Sequence, residues 1–340
     1  MFRSCTVKIY ISLKIGEFIM KLGVFAVVLG SVGFEDALRY LKDLGVQAVE
    51  IGCGGYPGTA HLDAKKIYDK PEEIKKVKEL VSRYGMMISA LSCHGNAIHP
   101  DRKIAASFEE DFQKTVLLAE QLGVDRIVTF SGCPGDSIGS KYPNWVTCPW
   151  PEDFLKILDW QWNEVLIPYW KKAVSFAKKH NVHKIALEMH PGFCVYNPET
   201  LLKLRNACGP EIGANFDPSH LFWQGIDPVR AIRALSGCIY YFHAKDTRVC
   251  IPNTSVNGVL DTKPYGNESE RSWLFRAVGT GHDRQVWNDI FAELRMTGYD
   301  YVVSIEHEDS LMSGQEGLKK AVSFLKETMI SEPKGEMYWA

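Results

Sequence analysis

The sequence predicts one α/β domain, a closed (β/α)8 barrel with long loops after its fourth and seventh strands. Two observations predict it. Short apolar runs alternate eight times with longer amphipathic stretches, and a succession of strand–helix units favours a parallel sheet. The runs are continuously apolar rather than alternating, as strands covered on both faces require. No G-x-G-x-x-G follows the first run, so an open dinucleotide-binding sheet loses its main support.

In chain order the expected strands are Leu22–Val28, Ala48–Ile51, Met87–Leu91, Arg126–Phe130, Lys184–Met189, Ile212–Phe216, Ile239–His243 and Tyr301–Glu306. The helical patterns FEDALRYLKDLG, PEEIKKVKELVSRYG and FEEDFQKTVLLAEQLG place apolar residues three and four apart and close at Gly45, Gly85 and Gly123. PETLLKLRNACG, DPVRAIRAL, DRQVWNDIFAELRMTG and GQEGLKKAVSFLKETM follow. The two long connections, Ser131 to about Glu152 and Ala244 to about Gly281, leave the carboxyl ends of strands and should cover the barrel mouth. Residues 1–19 read as an N-terminal extension before a natural start at Met20. The barrel is expected over 20–329, and 330–340 form a tail whose Tyr338 and Trp339 could dock on a partner subunit.

Composition limits the partners. With 340 residues, 46% hydrophobic, and a formal net charge of −2, the chain has apolar material for a large core but no basic excess for nucleic acid. No apolar run reaches the ~18–20 residues of a spanning helix, so no membrane is expected. Nine scattered cysteines without a C-x-x-C pair read as reduced thiols of a cytoplasmic protein. Small neutral or weakly charged substrates fit best.

The chemistry gathers where the last four strands end. Leu-Glu-Met-His closes the fifth with Glu188, and Asn-Phe-Asp-Pro-Ser-His follows the sixth with Asp217 and His220. Phe-His-Ala-Lys-Asp closes the seventh with His243, and Ser-Ile-Glu-His-Glu-Asp the eighth with Glu306. In a barrel these side chains converge on one point at the carboxyl face. Carboxylates gathered there repel one another strongly at low dielectric unless a cation lies between them. One strand-end glutamate is ordinarily a salt-bridge or capping residue, but four consecutive strands ending this way are not explained so blandly. Three carboxylates and an imidazole suit one divalent metal ion, Mn²⁺ first, with Mg²⁺, Co²⁺ or Zn²⁺ as alternatives.

Taken together, the LEMH, NFDPSH, HAKD and SIEHED blocks resemble the xylose isomerase-like TIM barrel superfamily, the sugar phosphate isomerase/epimerase family, from about Met20 to Met329. That group contains ketose 3-epimerases, inosose dehydratases, barrel subunits of C-glycoside-deglycosylating enzymes and endonuclease IV. The resemblance implies that Glu188, Asp217, His243 and Glu306 are metal ligands. It also implies that His220 contacts substrate and that Arg248 falls near a substrate-binding arginine.

These residues support proton abstraction beside a carbonyl of a small carbohydrate, with Glu188 and Glu306 as the acid–base pair. His94, His190 and Lys245 are further substrate-binding candidates, whereas His61, His99, His183 and His282 read as packing residues. Trp145, Trp150, Trp162 and Trp273 lie in or near the long loops. Each reads first as packing, with one of the four as a sugar platform. Ketose 3-epimerases carry a further glutamate six residues after the strand-five ligand, where this chain has Cys194. That departure keeps open a metal-dependent lyase or dehydratase acting on a 3-keto sugar or inosose. An endonuclease IV-like reading lacks the strand-four histidine and the basic groove. Neither GCGGYPG nor SGCPGDSIGS has a P-loop lysine, so no phosphate site is expected. Pairing with a second copy of the chain is a further expectation.

Overall fold

A computed structural model describes residues 19–339. The expectation for residues 1–19 therefore lies almost wholly outside the described residues. Seven strands come first: β1 (Lys21–Phe25), β2 (Ala48–Gly52), β3 (Met87–Ser92), β4 (Arg126–Thr129), β5 (Lys184–Glu188), β6 (Ile212–Phe216) and β7 (Ile239–Ala244). Two strands of the long connection, β8 (Asp246–Val249) and β9 (Trp273–Arg276), precede β10 (Val302–Ile305). The barrel closes in the order β1-β10-β7-β6-β5-β4-β3-β2 with parallel pairing throughout, and β8 and β9 form a separate antiparallel ribbon.

Each barrel strand sends alternate side chains to opposite sides. Val49, Ile51, Leu91, Ile127, Ile185, Leu187, Phe216, Phe242, Val303 and Ile305 face the helices and join the main core. Ala48, Ala90, Val128, Ala186, Tyr241 and Val302 fill the floor of the interior. At β1 the interior position is Gly23, where a Cβ would stand 2.4 Å from Val302 Cγ1, so only glycine lets β1 close against β10. Gly45, Gly85 and Gly123 adopt positive φ of 74°, 70° and 75° at the ends of their helices, as the sequence pattern predicts.

Two connections differ from the sequence expectation. Helices Asp153–Trp160 and Ile167–Lys179, joined through a π-turn at Gln161–Leu166, occupy the stretch between β4 and β5, for which no helical pattern was assigned. The connection after β7 is not an open loop. It carries β8, β9 and the helix Ile251–Asn257. Among the described residues no helix is long and apolar enough to cross a membrane. Beyond Thr328 the chain has no helix or strand through residue 339, and Tyr338 and Trp339 are exposed.

Asp246 ties this ribbon to the barrel. Its carboxylate is buried and accepts from the backbone N–H groups of Thr247, Gly279, Gly281 and His282 and from Trp287 Nε1, with His282 Nδ1 at 2.7 Å. Asp246→Ala leaves several of those donors buried without partners, at ~1–3 kcal/mol each. The variant is expected to lose about 3 kcal/mol or more of unfolding free energy in urea, and a loss below ~1 kcal/mol would show that the ribbon is held elsewhere.

Candidate metal centre

The four residues read from the strand ends come together at the mouth. One carboxylate oxygen each from Glu188, Asp217 and Glu306, and one ring nitrogen of His243, all lie within 4.8 Å of one another. Glu188 and His243 belong to β5 and β7, and Asp217 and Glu306 directly follow β6 and β10. Metal–oxygen and metal–nitrogen bonds of about 2.0–2.3 Å set opposite ligands about 4.0–4.6 Å apart, so a small inward movement would close this set on one ion.

Local structure fixes each candidate ligand. Asp217 caps the short helix Pro218–Phe222, and its Oδ1 accepts from the Ser219 N–H at 2.8 Å. Its Oδ2 is buried and accepts no hydrogen bond, although Lys245 Nζ and His220 Nε2 stand at 3.2 and 3.3 Å. A carboxylate oxygen left in this way is one that a cation would satisfy. Glu188 is gripped from several directions: His94 Nε2 and Asn215 Nδ2 reach Oε2, and His220 Nε2 reaches Oε1, each at 3.0 Å.

His243 is oriented by a residue that the sequence reading missed. Glu50, on β2, is fully buried, and its oxygens stand 2.9 and 3.0 Å from His243 Nε2. Ser92 and Ser304 donate to the same carboxylate at 2.5 and 2.7 Å. With Nε2–H directed at Glu50, Nδ1 faces Glu306 Oε2 at 3.2 Å and Glu188 Oε2 at 3.4 Å, the orientation of a carboxylate–histidine–metal arrangement. Glu50 sits mid-strand in AVEIG, where the only sequence signal is a charge inside an apolar run.

The carboxylates and their cationic neighbours shift one another's ionisation. Burial pushes the Glu188 carboxyl up, yet hydrogen bonds from His220, His243 and His94 hold it well below the usual range. Burial likewise opposes ionisation of Glu306, but Lys245 and His243 outweigh it. Asp217 is raised by burial despite Lys245 and His220. Burial disfavours charge on His243 and Lys245, yet Glu50 and Glu306 hold the imidazole, and Asp217, Glu306 and Glu308 the ammonium, well above their ordinary values.

The remaining predicted residues divide. His94, His190 and Lys245 line a cavity of about 180 Å³ together with Glu188, Glu306, Glu308, Phe25, Tyr56 and Phe130. Lys245 Nζ stands 2.8 Å from Glu306 and 2.9 Å from Glu308. His190 packs 4.1 Å from the His220 ring, and burial pushes its pKa down to about 3, so it is neutral. Arg248 is placed apart. It is exposed on β8, its guanidinium donates to the Gly281 carbonyl at 3.3 Å, and it does not line this cavity. Cys194 is buried among apolar residues rather than at the cavity wall. Trp145 and Trp273 line a second cavity beside His190, Trp162 is buried, and Trp150 is exposed.

Two outcomes follow from this geometry. Glu50→Gln should weaken Mn²⁺ binding by about 10- to 100-fold, and equal affinities by calorimetry would remove Glu50 from the support of the centre. Because Glu50 and Glu306 favour the charged form of His243, a metal bound through its ring must displace a proton. Affinity should therefore rise with pH and fall as pH drops, by about tenfold per unit for each proton released. A flat affinity between pH 6 and 8 would contradict this.

Comparison with known proteins agrees with the fold. A family model described as xylose isomerase-like TIM barrel matches residues 38–328. The chain is 40% identical over 312 residues to the uncharacterized protein YfiH of Bacillus subtilis, covering 91% of this chain and 99% of that one. Among solved structures, the probable 3-DHS dehydratase AsbF of Bacillus anthracis aligns with a TM-score of 0.61 at 18% identity, over 90% of this chain and 99% of that one. A D-tagatose 3-epimerase-like protein aligns with a TM-score of 0.59 at 20% identity, over 91% and 98%. The chain belongs to the xylose isomerase-like TIM barrel family.

Proposed function

We propose that this protein is a divalent-metal-dependent isomerase or epimerase of a keto-sugar or related polyol carbonyl. One observation carries the reading. Glu188 and Glu306 stand on β5 and after β10, on either side of the Asp217–His243 pair, and both line the same cavity. A bound divalent ion, Mn²⁺ in the first instance, would supply a Lewis acid that lowers the energy of the enediolate left when a proton departs.

The chain's own groups account for the rest. Three hydrogen-bond donors fix the plane of the Glu188 carboxylate, and its depressed pKa keeps it ionised, as a base requires. Glu306 faces the same space from the other wall and, with a proton passed from the Lys245 ammonium 2.8 Å away, would return a proton to the opposite face of the carbon. Phe25, Tyr56 and Phe130 give the cavity apolar surface suited to the C–H face of a sugar, and Lys245 and Glu308 give it polar groups suited to its hydroxyls.

A second reading, elimination from a 3-keto sugar or inosose, is favoured by Lys245. Loss of a leaving group needs a third proton donor beside the two glutamates. The Lys245 ammonium lines the cavity at 2.8 Å from Glu306. Cys194, in place of the epimerases' additional glutamate, leaves room for this reading, and the neighbour AsbF is described as a probable dehydratase.

Mn²⁺-loaded protein incubated in D₂O with ketoses, 3-keto-glycosides and inososes tests both. Metal-dependent exchange of one C–H with an isomeric product is expected, and product lighter by water or an aglycone moves the assignment to the lyases. Glu306→Gln should cut turnover by about 100-fold or more. Full turnover with metal retained would remove Glu306 from the acid–base pair.

A further inference from the structure

The carboxylate cavity opens beside a second one of different character, of about 270 Å³. Trp145, Trp223, Tyr265, Trp273 and Phe275 supply its aromatic lining, and Thr262 also lines it. The rings are locked against one another. Trp223 and Trp273 stack at 4.6 Å and 6°, and Tyr265 and Phe275 stack at 5.8 Å and 21°. His190 and His220 also line this cavity, while His190 lines the first and His220 holds Glu188 Oε1 at 3.0 Å. Phe275 joins the two spaces, with its ring 5.3 Å from the His220 ring and 4.6 Å from Lys245 Nζ.

We infer that the substrate has two parts: a hydroxylated head in the carboxylate cavity, and a planar apolar ring, joined to it near His190, in the aromatic cavity. The identity of the head rests on the carbohydrate reading above, whereas the ring site stands on its own geometry. A cavity of about 150 Å³ holds a benzene molecule, so this one has room for a substituted or bicyclic ring. A second sugar fits the wall less well, because its hydroxyls would need several free polar partners. Asp261, the charged residue of the lining, is already committed to Ser272 N and Lys263. Two donors remain, the buried indole N–H groups of Trp145 and Trp223, which suit one or two acceptor substituents on the ring rather than a full set of sugar hydroxyls.

Calorimetry on the full chain reconstituted with Mn²⁺ tests the inference with four probes: phenyl β-D-glucopyranoside, methyl β-D-glucopyranoside, cellobiose and phenol. The phenyl glycoside is expected to bind about tenfold or more tighter than the methyl glycoside. Leu260→Trp, which fills the cavity rim from an exposed position, should abolish that difference and leave methyl glycoside affinity unchanged. Phenol that binds the native chain and not Leu260→Trp, with no glycoside bound, would keep the ring site and remove the carbohydrate head. Equal phenyl and methyl affinities, a preference that survives Leu260→Trp, tighter binding of cellobiose, or no binding of any probe would overturn the inference.

Discussion

Closure of eight parallel strands, completed where β1 pairs with β10, is the constraint from which the site follows. Once the sheet is closed, alternate side chains of every strand have nowhere to go but the interior. The floor is filled by small and aromatic side chains, with Tyr241 the bulkiest, and Gly23 yields its share of space so that the β1–β10 seam can form. Nearer the carboxyl ends, Glu50, Ser92, Asn215, His243 and Ser304 replace them. A polar layer thus sits directly on an apolar one, and water is excluded from beneath the acidic groups.

That layering explains why the buried charges are tolerated. Isolated carboxylates at this depth would be neutralised by shifted titration rather than remain ionised. Here each has partners: Glu50 has two hydroxyls and an imidazole, Glu188 has two histidines and an amide, and Glu306 has Lys245. The pairing is incomplete at Asp217 Oδ2. The same arrangement that costs stability without an ion would return it when a divalent cation binds, since ligand binding to the folded chain alone stabilises it.

Around this fixed floor the long connections are additions. The ribbon of β8 and β9 hangs from Asp246, immediately after the His243 strand, so the aromatic wall is held in register with the carboxylate cluster. Trp273 and Phe275 alternate with Leu274 and Arg276 along β9, which sends the two aromatic rings to one side of the ribbon. Arg248 belongs to that ribbon, and its guanidinium donates to the Gly281 carbonyl.

The sequence by itself determined the barrel, seven of its covering helices and the four converging strand ends. Those features are written in local runs, glycine stops and an abrupt change from apolar to charged residues. Tertiary structure alone decided the rest. Glu50 is separated from His243 by 193 residues, and nothing local distinguishes its mid-strand charge from an edge or surface position. The helix between β4 and β5 has a π-turn that disturbs the 3.6-residue rhythm, and so its period is blurred. The β8–β9 ribbon and the aromatic cavity depend on pairing between segments 24 or more residues apart, whose partners are fixed only when Asp246 gathers the backbone N–H groups of the returning chain.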